Sequence, residues 1–240
     1  MDRFGSPQQP AQQPAWISAS TEEMAVRERA FFRSVYGWMF AGLMTTALTS
    51  FAVTQSATLA QLILGTGLFW VLAIVEIGLV FFLSIRITKM SVGTAAIVFL
   101  AYSLLNGLTL SGIFFYYTQG SVVNAFVAAG AMFGGMAIYG AVTKRDLTSW
   151  GSFFMMGLLG VVAMMVINIF LHSPAINFTI GAVGVFVFLG LTAYDNQKLK
   201  ALAHAGGGMQ DNFAIIGALR LYLDFVNLFL MLLRLFGRRR

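Results

Sequence analysis

The sequence predicts an all-α polytopic membrane protein, a seven-helix bundle in which the last helix is the most enclosed by protein. Composition is the first observation. Hydrophobic residues make up 58% of the 240 positions and charged residues only 10%, with a mean hydropathy of +0.80. A soluble domain carries roughly 25% charge, so this chain could not cover a water-facing surface. The second is a set of seven apolar runs, each close to or above the roughly 17–25 residues that cross a hydrocarbon core. They are continuous, without the alternation over about ten residues that marks the strands of a membrane barrel. The third is a single polar stripe on the last run, which lipid would not accept.

The elements follow in order. Residues 1–20 read as a disordered Pro/Gln-rich tail, with three of the four prolines before position 15. Ser20-Thr21-Glu22-Glu23 has the form of a capping box and predicts a short charged cytoplasmic helix over 21–30. The membrane domain occupies 31–237, with spans at 31–53, 61–84, 92–117, 122–142, 153–171, 178–194 and 213–236. Residues 238–240 form a basic tail. The first run is too long, and its leader too mixed in charge, for a signal peptide, so it is expected to stay as an anchor. Gly130 and Gly134 form a small-xxx-small pair in the fourth run, expected to let helices of this bundle approach closely.

Charges outside the runs alternate. Arg27, Arg29 and Arg33 precede the first span, Arg86 and Lys89 follow the second, Lys144 and Arg145 the fourth, and Lys198 and Lys200 the sixth. The loops between them carry no Lys or Arg. By the positive-inside rule the N-terminus is cytoplasmic. The seventh run starts on that side yet ends in Arg234, Arg238, Arg239 and Arg240. Its length favours crossing, and its closing charges favour return; we expect it to cross.

The polar residues inside the spans carry the functional argument. Arg220, Asp224, Asn227 and Arg234 fall on an arc about 80° wide at 100° per residue. Ionisable groups cost on the order of 2.5–3.5 kcal/mol each at a bilayer centre, so they must face protein or water. Arg220 precedes Asp224 by four residues, which lets the two pair along the helix. Glu76 stands mid-span with apolar flanks and no basic residue one turn away, so its compensation is expected from another helix. Asn106 is central in the third span, with Tyr102 and Thr109 on its face. Asp195 lies where the sixth run ends, in Tyr194-Asp195-Asn196-Gln197-Lys198.

Other chemistries lack their residues. The chain has no Cys, which removes thiolate catalysis and disulfides. His172 and His204 lack metal-ligand spacing, and there is no phosphate-binding loop, nucleophile elbow or H-E-x-x-H. Presenilin-type aspartyl proteases need G-x-G-D at the second acid, whereas Asp224 follows Leu221-Tyr222-Leu223. No enzymatic activity and no cofactor are expected.

Two stretches carry a family resemblance. They are Thr192-Ala193-Tyr194-Asp195-Asn196-Gln197-Lys198 and, more specifically, Leu221-Tyr222-Leu223-Asp224-Phe225-Val226-Asn227-Leu228-Phe229. Over about 30–237 the chain resembles the Bax inhibitor-1 family, in its bacterial YccA-like branch. That resemblance implies a C-terminal seventh helix enclosed by the other six and a di-aspartyl pH sensor, with Asp195 and Asp224 sharing a proton near the cytoplasmic face. It implies a pH-dependent Ca²⁺ leak, with Ca²⁺ as a transported ion or one bound by Asp195 and Asp224. Glu76 matches an acid of the family's second helix, and Arg86 is the nearest candidate for a cation that latches onto the aspartyl pair. It also implies an inner-membrane location and, as the alternative, a regulator without transport that binds another membrane protein such as a quality-control protease. No nucleic-acid partner is expected, because the net charge of +6 is concentrated at span ends, where it sets topology.

Overall fold

The computed structural model describes residues 15–86, 89–205 and 210–240. Among them lie the helices α1 (Ala15–Thr54), α2 (Ala57–Leu64), α3 (Leu68–Arg86), α4 (Val92–Leu110), α5 (Gly112–Tyr116), α6 (Gln119–Val142), α7 (Thr148–Leu171), α8 (Pro174–Ala205) and α9 (Gln210–Phe236). Six helical segments are long and apolar enough to cross a membrane. α1 and α2, bent by 108° at the break between them, supply the seventh when counted as one span.

Three boundaries differ from the sequence reading. α1 is a single helix, so the leader expected over 21–30 is continuous with the first span, and Ser20 and Thr21 lie inside the helix instead of capping it. No Gly or Pro interrupts 15–36, and nothing in that stretch stops a helix once begun. Of the tail expected over 1–20, residues 1–14 lie outside the described residues. The run 61–84 is cut by Gly65-Thr66-Gly67, where α2 ends with the Gly65 N–H donating to the Gln61 carbonyl. The crossing helix is therefore α3.

α9 is the centre of the bundle. Seventy-two per cent of its apolar window is buried, against 39% for α8 and 6% for α3. It packs most extensively on α8, α1, α6 and α4, while α3 packs chiefly on α4 and α7 on α8, and both share a cavity wall with α9. Leu219, Leu221, Tyr222, Leu228, Met231 and Leu233 are all but inaccessible. Lipid tails are as apolar as leucine, so what holds this core is close packing and interhelical hydrogen bonding more than release of water.

Two glycines show how close the approach is. A Cβ on Gly140 would strike the backbone of Ala193 in α8, and one on Gly184 would meet the Met231 side chain of α9. The pair expected to pack, Gly130 and Gly134, instead faces open space on α6. Small-residue spacing names a face that can be approached closely, and the bundle here uses another face of the same helix.

The loops bearing Lys and Arg gather at one end. Lys200 Nζ donates to the Ala141 carbonyl at 2.8 Å, Asn212 Nδ2 to the Met90 carbonyl at 2.9 Å, and Gln197 Nε2 to the Arg145 carbonyl at 2.7 Å. The opposite end holds the C-terminus. Arg238 accepts from the Thr118 N–H, the Arg240 N–H donates to the Tyr116 carbonyl, and Arg234 Nη1 donates to Asn177 Oδ1, each at 3.0 Å. α9 thus crosses the bundle, and its closing arginines lie at the end where the other loops have none.

Candidate functional site

Asp195 and Asp224 reach one cavity from neighbouring helices. α8 continues ten residues past Asp195 to Ala205, about 15 Å at 1.5 Å per residue. Asp195 is therefore well inside the helix, not at its end. The residues after it (Asn196 to His204) include no Gly or Pro, so the helix outlasts the apolar run. The cavity measures about 470 Å³. Asp195, Arg220, Asp224 and Asn227 form its polar wall, and α3 and α7 supply apolar walls that include Ile77, Val80 and Met155.

The charge pairing within the cavity differs from the expected one. Arg220 Nη1 stands 3.8 Å from Asp195 Oδ1, an interhelical pair between α9 and α8. The expected pairing of Arg220 with Asp224 along α9 does not form. Asp224 is only 6% exposed, and its Oδ2 has no hydrogen-bond partner. Asn227 Nδ2 is turned back onto the Leu223 carbonyl at 2.8 Å. The stripe on α9 does face protein, but it divides: Arg220, Asp224 and Asn227 serve the cavity, and Arg234 serves the far end.

Arg86 is not part of this site. It ends α3 with an exposed side chain and pairs with neither aspartate, and Arg220 fills the place beside Asp195. The latch expected from Arg86 is absent.

Glu76 and Asn106 belong to a second polar group, inside the bundle. Glu76 is buried. Asn106 Nδ2 donates to its Oε2 at 3.0 Å and Thr109 Oγ1 to its Oε1 at 2.9 Å. The compensation expected from another helix thus comes from α4. Asn106 also meets the Tyr222 hydroxyl of α9, and that hydroxyl meets Thr46 of α1.

Several residues that matter here were not singled out in the sequence. Tyr222 and Thr46 are two. Asn196, next to Asp195 and fully buried, accepts from the Tyr36 hydroxyl of α1 at 2.5 Å. Glu28 of α1 accepts from His204 Nε2 at 2.6 Å and lies 3.8 Å from Lys200 Nζ. A tyrosine or threonine in an apolar run is too ordinary to stand out. Only the pairing of helices shows that these hydroxyls meet.

The donor set argues against a resident Ca²⁺. That ion takes 6–8 oxygens. The cavity supplies two carboxylates and one carboxamide beside a guanidinium, and no group of three or more acidic, His or Cys side chains suited to a metal occurs among the described residues.

The comparisons with known proteins decide the family. A family model described as inhibitor of apoptosis-promoting Bax1 matches residues 28–240. The chain belongs to the Bax inhibitor-1 family. It is 43% identical over 217 residues to the inner membrane protein YbhL of Escherichia coli strain K12, covering 88% of this chain and 93% of that one. An uncharacterized protein of Borreliella burgdorferi is 38% identical over 228 residues, covering 93% and 98%. An uncharacterized membrane protein of Streptococcus pyogenes serotype M1 is 37% identical over 212 residues, covering 87% and 92%. As a family member with several apolar helices, the chain is an integral membrane protein.

Proposed function

We propose that this member of the Bax inhibitor-1 family is a pH-sensitive cation leak, with Ca²⁺ as the ion, gated by protonation of the Asp195–Asp224 pair. One observation carries the reading: a buried carboxyl at Asp224 with an unpaired oxygen shares a cavity with a second carboxyl that already pairs with Arg220, the one cation among the described residues that line it. Two carboxylates with one guanidinium leave an excess negative charge among apolar walls, which is costly unless a proton neutralises it. With the proton on, the closed packing of α8, α9, α3 and α7 is stable. With it off, two anions compete for Arg220, the repulsion favours a separated arrangement, and a hard cation finds oxygen ligands on its way through. The closed packing is then one state of two, biased by the proton.

The similarity to YbhL supports an inner-membrane location, and the positive-inside rule supports a cytoplasmic N-terminus, with the Asp195–Arg220 end towards the cytoplasm. Ca²⁺ efflux from proteoliposomes across a pH series tests the reading. Efflux should rise with pH and lose its pH dependence in Asp195→Asn or Asp224→Asn. A folded protein without efflux at any pH would sink it. The second reading is a regulator without transport, docking a membrane protein such as a quality-control protease. The N-terminal part of α1 favours it, because Met24 and Val26 are exposed there. Crosslinking at those positions would capture the partner.

A further inference from the structure

The hydrogen-bonded line from Glu76 to α1 can be counted. Four close contacts lie in series: Glu76 Oε2 to Asn106 at 3.0 Å, Asn106 to the Tyr222 hydroxyl at 2.9 Å, that hydroxyl to Thr46 Oγ1 at 2.6 Å, and Thr46 Oγ1 to the Ser103 carbonyl at 2.8 Å. Each contact needs one hydrogen. With Glu76 as an anion, Asn106 must turn its NH₂ to the carboxylate. Tyr222 then donates to Asn106 Oδ1, and Thr46 has one hydrogen for both Tyr222 and Ser103. Three hydrogens serve four contacts, and one oxygen pair is left facing without a proton. The Ser103 hydroxyl, bonded to the Phe99 carbonyl at 2.9 Å and within reach of the Tyr222 hydroxyl, adds no hydrogen to either contact of Thr46.

A proton on Glu76 closes the count. A half-turn of the Asn106 amide exchanges its oxygen and nitrogen. The carboxyl then donates to Asn106 Oδ1, Asn106 Nδ2 to Tyr222, Tyr222 to Thr46, and Thr46 to the Ser103 carbonyl. Four hydrogens serve four contacts, all running one way, while Oε1 still accepts from Thr109. The surroundings agree. The titratable groups facing Glu76 are Tyr102 on α4 and Tyr222 on α9, α1 presents Thr46, and no Lys or Arg pairs with Glu76 among the described residues.

We propose that Glu76 is a second proton-binding site, separate from the aspartyl pair. Its proton sets the direction of a hydrogen-bond chain joining α3, α4, α9 and α1. Loss of that proton breaks one link, and the link most readily given up is Thr46 to Ser103, since the Ser103 carbonyl lies within α4 and already accepts in the helix. The site therefore couples proton uptake to the hold of α1 on α4, the helix pair beside the enclosed α9.

The test uses the full-length protein in lipid nanodiscs carrying Asp195→Asn and Asp224→Asn, so its failure leaves the aspartyl reading untouched. Infrared spectra at neutral pH should show the carbonyl stretch of a protonated carboxyl that shifts in deuterated water and vanishes when Glu76→Gln is added. The difference spectrum between the parent and Glu76→Gln isolates the band of this one carboxyl. Absence of that band overturns the proposal. A second measurement is thermal unfolding against pH. Glu76→Gln supplies an N–H where the carboxyl O–H stood, so it should match the parent at neutral pH and outlast it in alkali. A Glu76→Gln protein clearly less stable at neutral pH would mean that the fold holds the anion, and would equally overturn the proposal.

Discussion

Asp224→Leu should make the protein more stable while removing its response to pH. In the structure the Asp224 side chain is 6% exposed, and its Oδ2 meets no donor. A buried polar group without a partner costs about 1–3 kcal/mol. Its charged form costs more unless it is paired, and the Arg220 guanidinium is already spent on Asp195 at 3.8 Å. Leucine removes this penalty. The apolar walls at Ile77, Val80 and Met155 can receive its methyl groups, and the cavity of about 470 Å³ leaves room for them. We expect a gain of about 1–3 kcal/mol. Reversible unfolding in bicelles at neutral pH measures it, with Asp224→Asn as the control. Asparagine keeps an unpaired polar atom, so it should relieve only the part of the penalty that belongs to charge and fall between the other two. A leucine variant less stable than the parent by a kilocalorie or more would falsify the reasoning. The carboxyl would then be holding the fold together instead of straining it for a purpose.

Other outcomes follow from the same geometry. Asp195→Asn and Asp224→Asn should each abolish most of the pH dependence of Ca²⁺ efflux and the double change should add little, since groups in one titrating unit are not additive; full additivity would separate them. Gly140→Val should destabilise by about 1–3 kcal/mol because its side chain would meet the Ala193 backbone, whereas Gly130→Ala, facing open space, should be neutral or stabilise by up to about 1 kcal/mol. Thermal unfolding of both compares them directly. The chain has no Cys, so single cysteines placed at Lys144 and Arg239 can be labelled cleanly. An impermeant reagent should reach them from opposite sides of the membrane, and labelling from one side would contradict a crossing α9. Arg234→Ala removes the bond to Asn177 and should loosen this end, read as faster amide exchange around 234–240.

The class of fold follows from composition and run length. No water-soluble arrangement accommodates 58% hydrophobic residues with 10% charge, and helices are the form that satisfies its own backbone in lipid. The enclosure of α9 follows from its stripe, because Arg220, Asp224 and Asn227 had nowhere else to turn. Glu76 needed a partner from another helix for the same reason. These are one-body arguments: each asks what a residue costs in lipid and which side it must face. Pairings are two-body properties, and there the sequence was a poorer guide. Spacing offered Arg220 to Asp224, yet the guanidinium found Asp195 on α8, since side chains reach across a helix interface as easily as along one. Arg86 had the charge for the site but not the position, because it ends α3 at the surface. Gly130 and Gly134 had the spacing for contact, but α8 meets α6 at Gly140. The hydroxyls of Tyr222 and Thr46 drew no notice until α1, α4 and α9 were packed together. Local chemistry states which groups need a partner, and the relative rotation and depth of the helices choose among the partners available.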